Sequence, residues 1–260
     1  MNVADMPRGG PGASWLDRHL QTHRLEYLDR DDVPAEVKQI LIDCLQRMGE
    51  RAGTHEKQAR LVASLLGATV APKVLELGAG HGELSAHLLA VHPSAQVTVT
   101  DINPTLVDAI ASGRLGADPR VSTHVMDATH IDAPDDSYDL VVFSAAFHHL
   151  PPATAWSAIA EATRVGKRFV VIDGMRPAAP LLLAVLGLML PAMGVVAAVS
   201  PKRRPIMHDA LISLLRTYSK SAFVALGRAA DPRMTVEFLS IPRDFRPIGV
   251  GAVVYGKPAQ

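Results

Sequence analysis

The stretch Val74-Leu75-Glu76-Leu77-Gly78-Ala79-Gly80-His81-Gly82-Glu83-Leu84 constrains the fold of this chain more than any other. It opens as a short apolar run, passes through glycines at alternate positions, and continues with Leu84, Leu88 and Leu89 at helical spacing. Glycine has no Cβ, so such a turn can take positive φ and bring backbone close to a ligand. Strand, glycine turn and helix N-terminus, in that order, are the parts of a nucleotide-type site in an open α/β sheet.

Beyond the turn, β-type apolar runs alternate with helical patterns, which predicts a doubly wound α/β fold around a mainly parallel sheet. Strands are expected at 73–77, 96–101, 121–125, 138–143 and 168–173, and helices near 82–91, 104–112 and 152–163. Two later strands, 233–240 and 248–256, flank Pro242-Arg243-Asp244-Phe245-Arg246-Pro247 and are expected to pair antiparallel at the sheet edge. A chain of 260 residues buries a sizeable core without difficulty.

Residues 1–66 read as an N-terminal helical arm or lid, and 67–260 as the ligand-binding domain. Pro34 suits a first helical turn, and Val37, Ile40, Leu41, Cys44, Leu45 and Met48 share one apolar face, which places Cys44 in the core. A second helix is expected to start at Thr54 as N-cap and to end at Gly67. Upstream, His19, His23, Arg24, Tyr27, Asp29, Asp31 and Asp32 form a polar segment, read as a solvated face or part of a lid. His19 and His23 lack further ligands at metal-site spacing, so no metal is expected. The stretch Met1–Ser14 is rich in Gly and Pro and has no signal-peptide apolar run. Lys plus Arg (26) equals Asp plus Glu (26), so no global charge argument for nucleic acid exists. The single Cys44 leaves no internal disulfide, which fits a reducing, cytoplasmic setting.

One stretch breaks the alternation. Leu181 to Val199 is almost uninterrupted apolar sequence, followed by Lys202, Arg203 and Arg204. Length and basic flank meet the template for a membrane span, but Gly187, Pro191 and Gly194 interrupt it inside an α/β unit. The expectation is two short apolar helices packed over the active site. Peripheral membrane contact through 181–199 is the alternative.

The acids around the turn discriminate between ligands. A dinucleotide fingerprint would need Gly where Glu83 stands, and Glu76 precedes the turn, which disfavours a diphosphate. S-Adenosylmethionine carries an ammonium and a sulfonium, which carboxylates favour. Asp101 ends the run Val97-Thr98-Val99-Thr100, where an acid can accept both ribose hydroxyls. After the next strand, Asp127 can accept an adenine amino group while Met126 packs on the ring.

With these motifs in place, residues 73–173 resemble the core of class I S-adenosylmethionine-dependent methyltransferases. The match runs from Glu76-x-Gly78-x-Gly80-x-Gly82 through Asp101, Asp127 and Asp136-Ser137-Tyr138-Asp139-Leu140-Val141-Val142 to Phe147-His148-His149-Leu150. The resemblance implies a seven-stranded Rossmann-like sheet completed by the last two strands. It implies S-adenosyl-L-methionine as cofactor and S-adenosylhomocysteine as product. The cofactor set would be Glu76, Gly78, Ala79, Gly80, Asp101, Ile102, Met126, Asp127, Ala128 and Ser144. No Asn/Asp-Pro-Pro-Tyr motif follows the fourth strand, which counts against methylation of DNA bases or protein glutamine.

Histidine can act as a base near neutral pH, and His148 and His149 sit at a strand end where an acceptor should lie, with Asp173 on the same rim. A His and that Asp can form a base and its orienting partner, with the choice of His open. The segment 175–220, with Met189, Leu190 and Met193, is expected to cap a hydrophobic small-molecule acceptor, and His208, Arg216 and Tyr218 to offer it polar contacts. Such acceptors include polyketides, terpenoids, quinones and lipids, methylated at oxygen or carbon. A non-catalytic cofactor-binding subunit, a membrane-associated protein and a homodimeric assembly stay open.

Overall fold

The strands grow from the apolar runs where the sequence places them. In the computed structural model, which describes residues 2–240 and 249–257, β1 (Lys73–Leu77), β2 (Gln96–Asp101), β3 (Val121–Val125), β4 (Leu140–Ser144) and β5 (Arg168–Gly174) pair parallel. β7 (Val250–Gly256) runs antiparallel between β5 and β6 (Thr235–Ser240), so β6 is the edge. The sheet order is β3-β2-β1-β4-β5-β7-β6. The loop over Pro242–Pro247 lies outside the described residues.

Both faces of the sheet are covered, which is why β1, β4 and β5 are near-continuous apolar runs rather than alternating ones. Along each strand the side chains still divide by face. Leu75, Leu77, Val141, Phe143 and Val171 join Ile159 of α6 (Pro152–Val165) and Phe223 of α9 (Lys220–Ala230). Val74, Val97, Val99, Val142 and Val170 face the other way, onto Val62 of α3 (Thr54–Leu66) and Leu88 of α4 (Glu83–Val91). α5 (Pro104–Ser112) begins where Asn103 accepts the Thr105 N–H at 3.0 Å, with Pro104 in its first turn.

The first 66 residues depart from the expected pattern in several places. Met6 is buried in the main core beside the sheet. The helix α1 covers only Trp15–His19, and the chain to Arg24 is irregular, so His19 and His23 do not share a helix face. The helix α2 (Ala35–Ala52) forms, yet its apolar stripe is not core: Leu41 is buried, whereas Ile40, Leu45 and Met48 are exposed. Cys44 is accordingly half-buried, not a core residue. Helical periodicity reports an apolar face, and only the tertiary contacts decide what covers it. Gly53, at φ 59°, ends α2 and occupies the N-cap of α3, so Thr54 is the first helical residue rather than the cap.

The apolar insert after β5 is one helix, α7 (Ala179–Val199), not two. Pro191 is accommodated inside it. Ala179, Leu182 and Leu186 are its buried residues, and α8 (Arg204–Arg216) turns back along it through Leu211, Leu214 and Leu215.

Candidate active site

The glycine turn lies at the C-terminal ends of β1 and β2. Gly78, Gly80 and Gly82 have φ of 60°, 58° and 77°, a region that side chains with a Cβ rarely adopt. A Cβ on Gly78 would lie 2.6 Å from Cε2 of Phe143, so this glycine is fixed by packing. A Cβ on Gly80 would meet nothing within 4 Å, so this glycine borders open space. Ala145, also at positive φ (55°), turns the chain after β4 and brings Ala146 beside Gly78 and Ser144 to the same rim.

Asp101 is buried and organises the turn. Its Oδ2 accepts the Gly80 N–H and its Oδ1 the Asn103 N–H, each at 2.9 Å. Each oxygen retains a lone pair, so the pair of acceptors that a ribose diol requires is still available. Ile102, 67% exposed, and the half-buried Met126 and Ala128 stand beyond it as apolar surfaces for a flat ring. Asp127 is exposed, and its Oδ1 accepts both the N–H and the hydroxyl of Thr129 at 2.8 Å, which leaves Oδ2 for an adenine amino group. Burial pushes the Glu76 carboxyl up to about 7, partly countered by hydrogen bonds from Ser85. Open space at Gly80, paired acceptors at Asp101 and an apolar shelf at Ile102 together fit an adenosyl group with a cationic tail.

The rim beyond β4 and β5 brings the predicted His148, His149 and Asp173 together. The His148 backbone N–H donates to Asp173 Oδ2 at 2.9 Å, and ring Nδ1 lies 3.0 Å from both carboxylate oxygens. Its other nitrogen, Nε2, is 3.3 Å from Glu26 Oε1, an ion-pair contact without hydrogen-bond alignment. Burial lowers the proton affinity of His148, but Asp173 and Glu26 outweigh it and raise the pKa to about 10. His148 is therefore a buried cation between two carboxylates. Burial pushes Asp173 and Glu26 upward, yet the facing histidines hold both below the usual carboxylate range. His149 is half-exposed; its Nδ1 is 2.7 Å from Asp29 Oδ2, and its Nε2 is 4.0 Å from Glu26 Oε2.

Glu26 and Asp29 come from the N-terminal segment, and sequence reasoning missed Glu26 as a site residue and assigned Asp29 only to a polar face. The buried arginines explain how that segment is held. Arg8 donates to the His148 carbonyl at 2.9 Å, the Leu150 carbonyl at 3.2 Å and the Arg216 carbonyl, with its guanidinium 4.6 Å from the Tyr218 ring. Arg216 donates to the His149 carbonyl at 2.6 Å and contacts Asp29 at 3.3 Å. Arg176 donates to the Leu20 carbonyl at 2.7 Å and the Asp17 carbonyl at 3.1 Å. Tyr218, expected to touch an acceptor, instead donates its hydroxyl to the Leu150 carbonyl at 2.7 Å and is buried. His208 stacks on Tyr27, 4.1 Å between ring centroids. Glu26, His148 and His149 place potential metal-ligand atoms within 4.8 Å of one another.

Comparison with known proteins reaches the donor half of this geometry. Residues 74–168 match the family described as methyltransferase domain. A malonyl-(acyl-carrier protein) O-methyltransferase of Paenibacillus sp. is 31% identical over 87 residues, covering 32% of this chain and 32% of that protein. The protein of the same name from Geobacter sulfurreducens is 35% identical over 107 residues, covering 41% of this chain and 39% of its own length. The chain thus spans between about a third and two fifths of the curated relatives it matches. The plantazolicin methyltransferase BpumL, solved in complex with SAH, superposes with a TM-score of 0.63 at 10% identity, over 88% of this chain and 92% of that one; at that identity the likeness is one of fold. The segment from β1 to the start of β5 thus matches a methyltransferase domain, and the sheet as a whole has the fold of a solved methyltransferase.

Proposed function

We propose that this protein transfers the methyl group of S-adenosylmethionine to a hydrophobic small molecule, at oxygen or carbon. The observation that carries the reading is that Gly78 packs beside Ala146, two residues before His148, on a rim that also holds His149, Glu26, Asp29 and Asp173. When bound, the cofactor would supply a methyl carbon on a sulfonium, to which an aligned nucleophile bonds as the carbon–sulfur bond breaks and S-adenosylhomocysteine leaves. Alignment supplies most of the acceleration in such a displacement.

Glu76, Gly78, Ala79, Gly80 and Ser144 hold the methionine end, Asp101 the ribose, and Ile102, Met126, Asp127 and Ala128 the adenine. His148, already protonated between Asp173 and Glu26, is a poor base and instead fixes the rim. His149 is the base: Asp29 holds its Nδ1, and its Nε2, 4.0 Å from Glu26 Oε2, takes a proton from an acceptor hydroxyl or acidic carbon as that atom bonds to the methyl. Residues 1–66 act as a lid through Glu26 and Asp29, and 175–220 cap the acceptor. Relatives named for malonyl-(acyl-carrier protein), and a structural neighbour named for plantazolicin, support a small-molecule acceptor.

Mass spectrometry of reactions containing the cofactor and pooled small-molecule extracts tests this reading. A product heavier by one methyl, formed together with S-adenosylhomocysteine, is the expected result. Cofactor binding with no S-adenosylhomocysteine formed across a broad acceptor panel would leave a non-catalytic cofactor-binding subunit in its place.

A further inference from the structure

After Leu186, no residue of α7 is buried. Leu188 is 80%, Val195 66% and Val199 79% exposed, with Leu190 also exposed. Thirteen residues of helix, about 20 Å at 1.5 Å per residue, extend beyond the last buried residue with aliphatic side chains outward and only Met189, Met193, Val196 and Ala197 half-buried along one side. Leaving such a surface in water is unfavourable, and a helix apolar all round belongs in a core or in lipid.

The charge pattern identifies what covers it. From Gly174 to His208 the chain contains no Asp or Glu, while Lys202, Arg203 and Arg204 are exposed immediately beyond the free end. Arg204 donates through Nε to the Ala197 carbonyl at 3.0 Å, which holds this basic tip against the last turn of α7. Aliphatic surface ending in clustered cations complements acyl chains beneath anionic headgroups. A two-fold dimer through this face would instead put the same cations on both sides of its interface. A span is ruled out by the path of the chain. After Ser200–Arg203, α8 turns back and carries Arg216 to the rim, so both ends of α7 belong to one side of a bilayer.

We propose that the free end of α7, with Lys202, Arg203 and Arg204, docks the protein on the surface of an anionic bilayer. α7 follows β5 after the short link 175–178, so docking brings the Asp173 rim toward the lipid. If the methyl-transfer reading holds, the acceptor is then a lipophilic molecule drawn from the membrane; docking itself does not rest on that reading.

The test is co-sedimentation of the intact protein with phosphatidylcholine vesicles, with and without phosphatidylglycerol, alongside Leu188→Glu/Val195→Glu and Lys202→Glu/Arg203→Glu variants. All four positions are exposed, and a melting temperature within a few degrees of the parent's certifies the fold without reference to cofactor or turnover. The expected result is binding to the phosphatidylglycerol vesicles that the apolar double variant loses. At about 1 kcal/mol per cation, or roughly five-fold each, removing two charges weakens binding by on the order of 25-fold, before any repulsion from the new acids. No sedimentation with either vesicle, equal binding to both, or binding indifferent to the variants overturns the proposal. A solution dimer that Leu188→Glu/Val195→Glu dissolves also overturns it, in favour of a second copy.

Discussion

Asp173→Asn probes the buried histidine most directly. In the parent protein, Asp173 and Glu26 overcome burial and raise His148 from 6.5 to about 10. The folded state therefore keeps a proton that the unfolded chain releases above about pH 6.5. For a group raised in this way, the stabilisation is complete below about pH 6.5 and is lost as pH rises through about 10, at up to roughly 1.4 kcal/mol per pH unit. Asparagine keeps the size of Asp173 but removes its charge. Its amide NH2 would also face either the His148 N–H or the Gly174 N–H, which now donate to opposite oxygens. Breaking a buried pair from one side costs about 3–5 kcal/mol. The variant should therefore lose at least about 3 kcal/mol near neutral pH, and its stability should fall less steeply on the alkaline side. Urea unfolding followed by circular dichroism, repeated between about pH 6 and pH 10, measures both. Glu76, raised to about 7, titrates in both proteins and cancels in the difference. Curves for parent and variant that stay parallel across this window would refute the assignment of His148 as a cation.

The remaining predictions concern binding and turnover. Asp101→Ala removes the acceptor of the Gly80 and Asn103 amides, and calorimetry should find S-adenosylhomocysteine binding weaker by on the order of 100-fold; unchanged affinity contradicts the cofactor site. A cationic ligand tail favours ionised Glu76, so affinity for S-adenosylmethionine should rise as pH increases through about 7 and lose that dependence in Glu76→Gln. Gly78→Ala should lower the unfolding midpoint through its clash with Phe143, whereas Gly80→Ala should fold and bind cofactor poorly, because its methyl occupies ligand space; the reverse pattern counts against the cradle. His149→Gln should leave cofactor affinity intact and reduce kcat by roughly 100-fold or more once an acceptor is known, and an unchanged kcat removes His149 as the base.

The donor half of the site was legible because its signals are local. A strand, a positive-φ turn and a helix N-terminus occupy consecutive residues, and Asp101 lies one βα unit beyond them, so spacing alone maps them together. The rim partner Asp173 was also accessible, because it ends the strand next to β4. Glu26 was not. It lies more than a hundred residues from His148, in irregular chain with no hydrophobic period; Arg176 holds that segment through the Leu20 and Asp17 carbonyls, and Ser213 and Asp209 fix Glu26 and the Tyr27 N–H. Hydrogen bonds to carbonyls impose no residue pattern on the segment they hold. The misplacement of Cys44 has a related cause: α2 has a regular apolar stripe, but Ile40, Leu45 and Met48 are left uncovered.

The division between the two halves bears on how specificity arises. The family match covers 74–168, which holds the glycine turn, Asp101 and Asp127, and ends where β5 begins. Partners of the two histidines lie outside it: Glu26 and Asp29 before it, Asp173 and Arg216 after it. His148 and His149 lie inside the matched region, and each is bound to a carboxylate from outside it. The raised pKa of His148 is thus set by Asp173 and Glu26, in the flanking segments, and not by the common frame. Exchanging 74–168 for the matching region of a relative, with both histidines kept, should preserve the raised pKa of His148 provided Glu26 and Asp173 remain. Removing Glu26 from the native chain should lower it. Titration of the His148 ring by NMR in the two proteins distinguishes them, and a pKa that follows the frame rather than the flanks would reverse this assignment of roles.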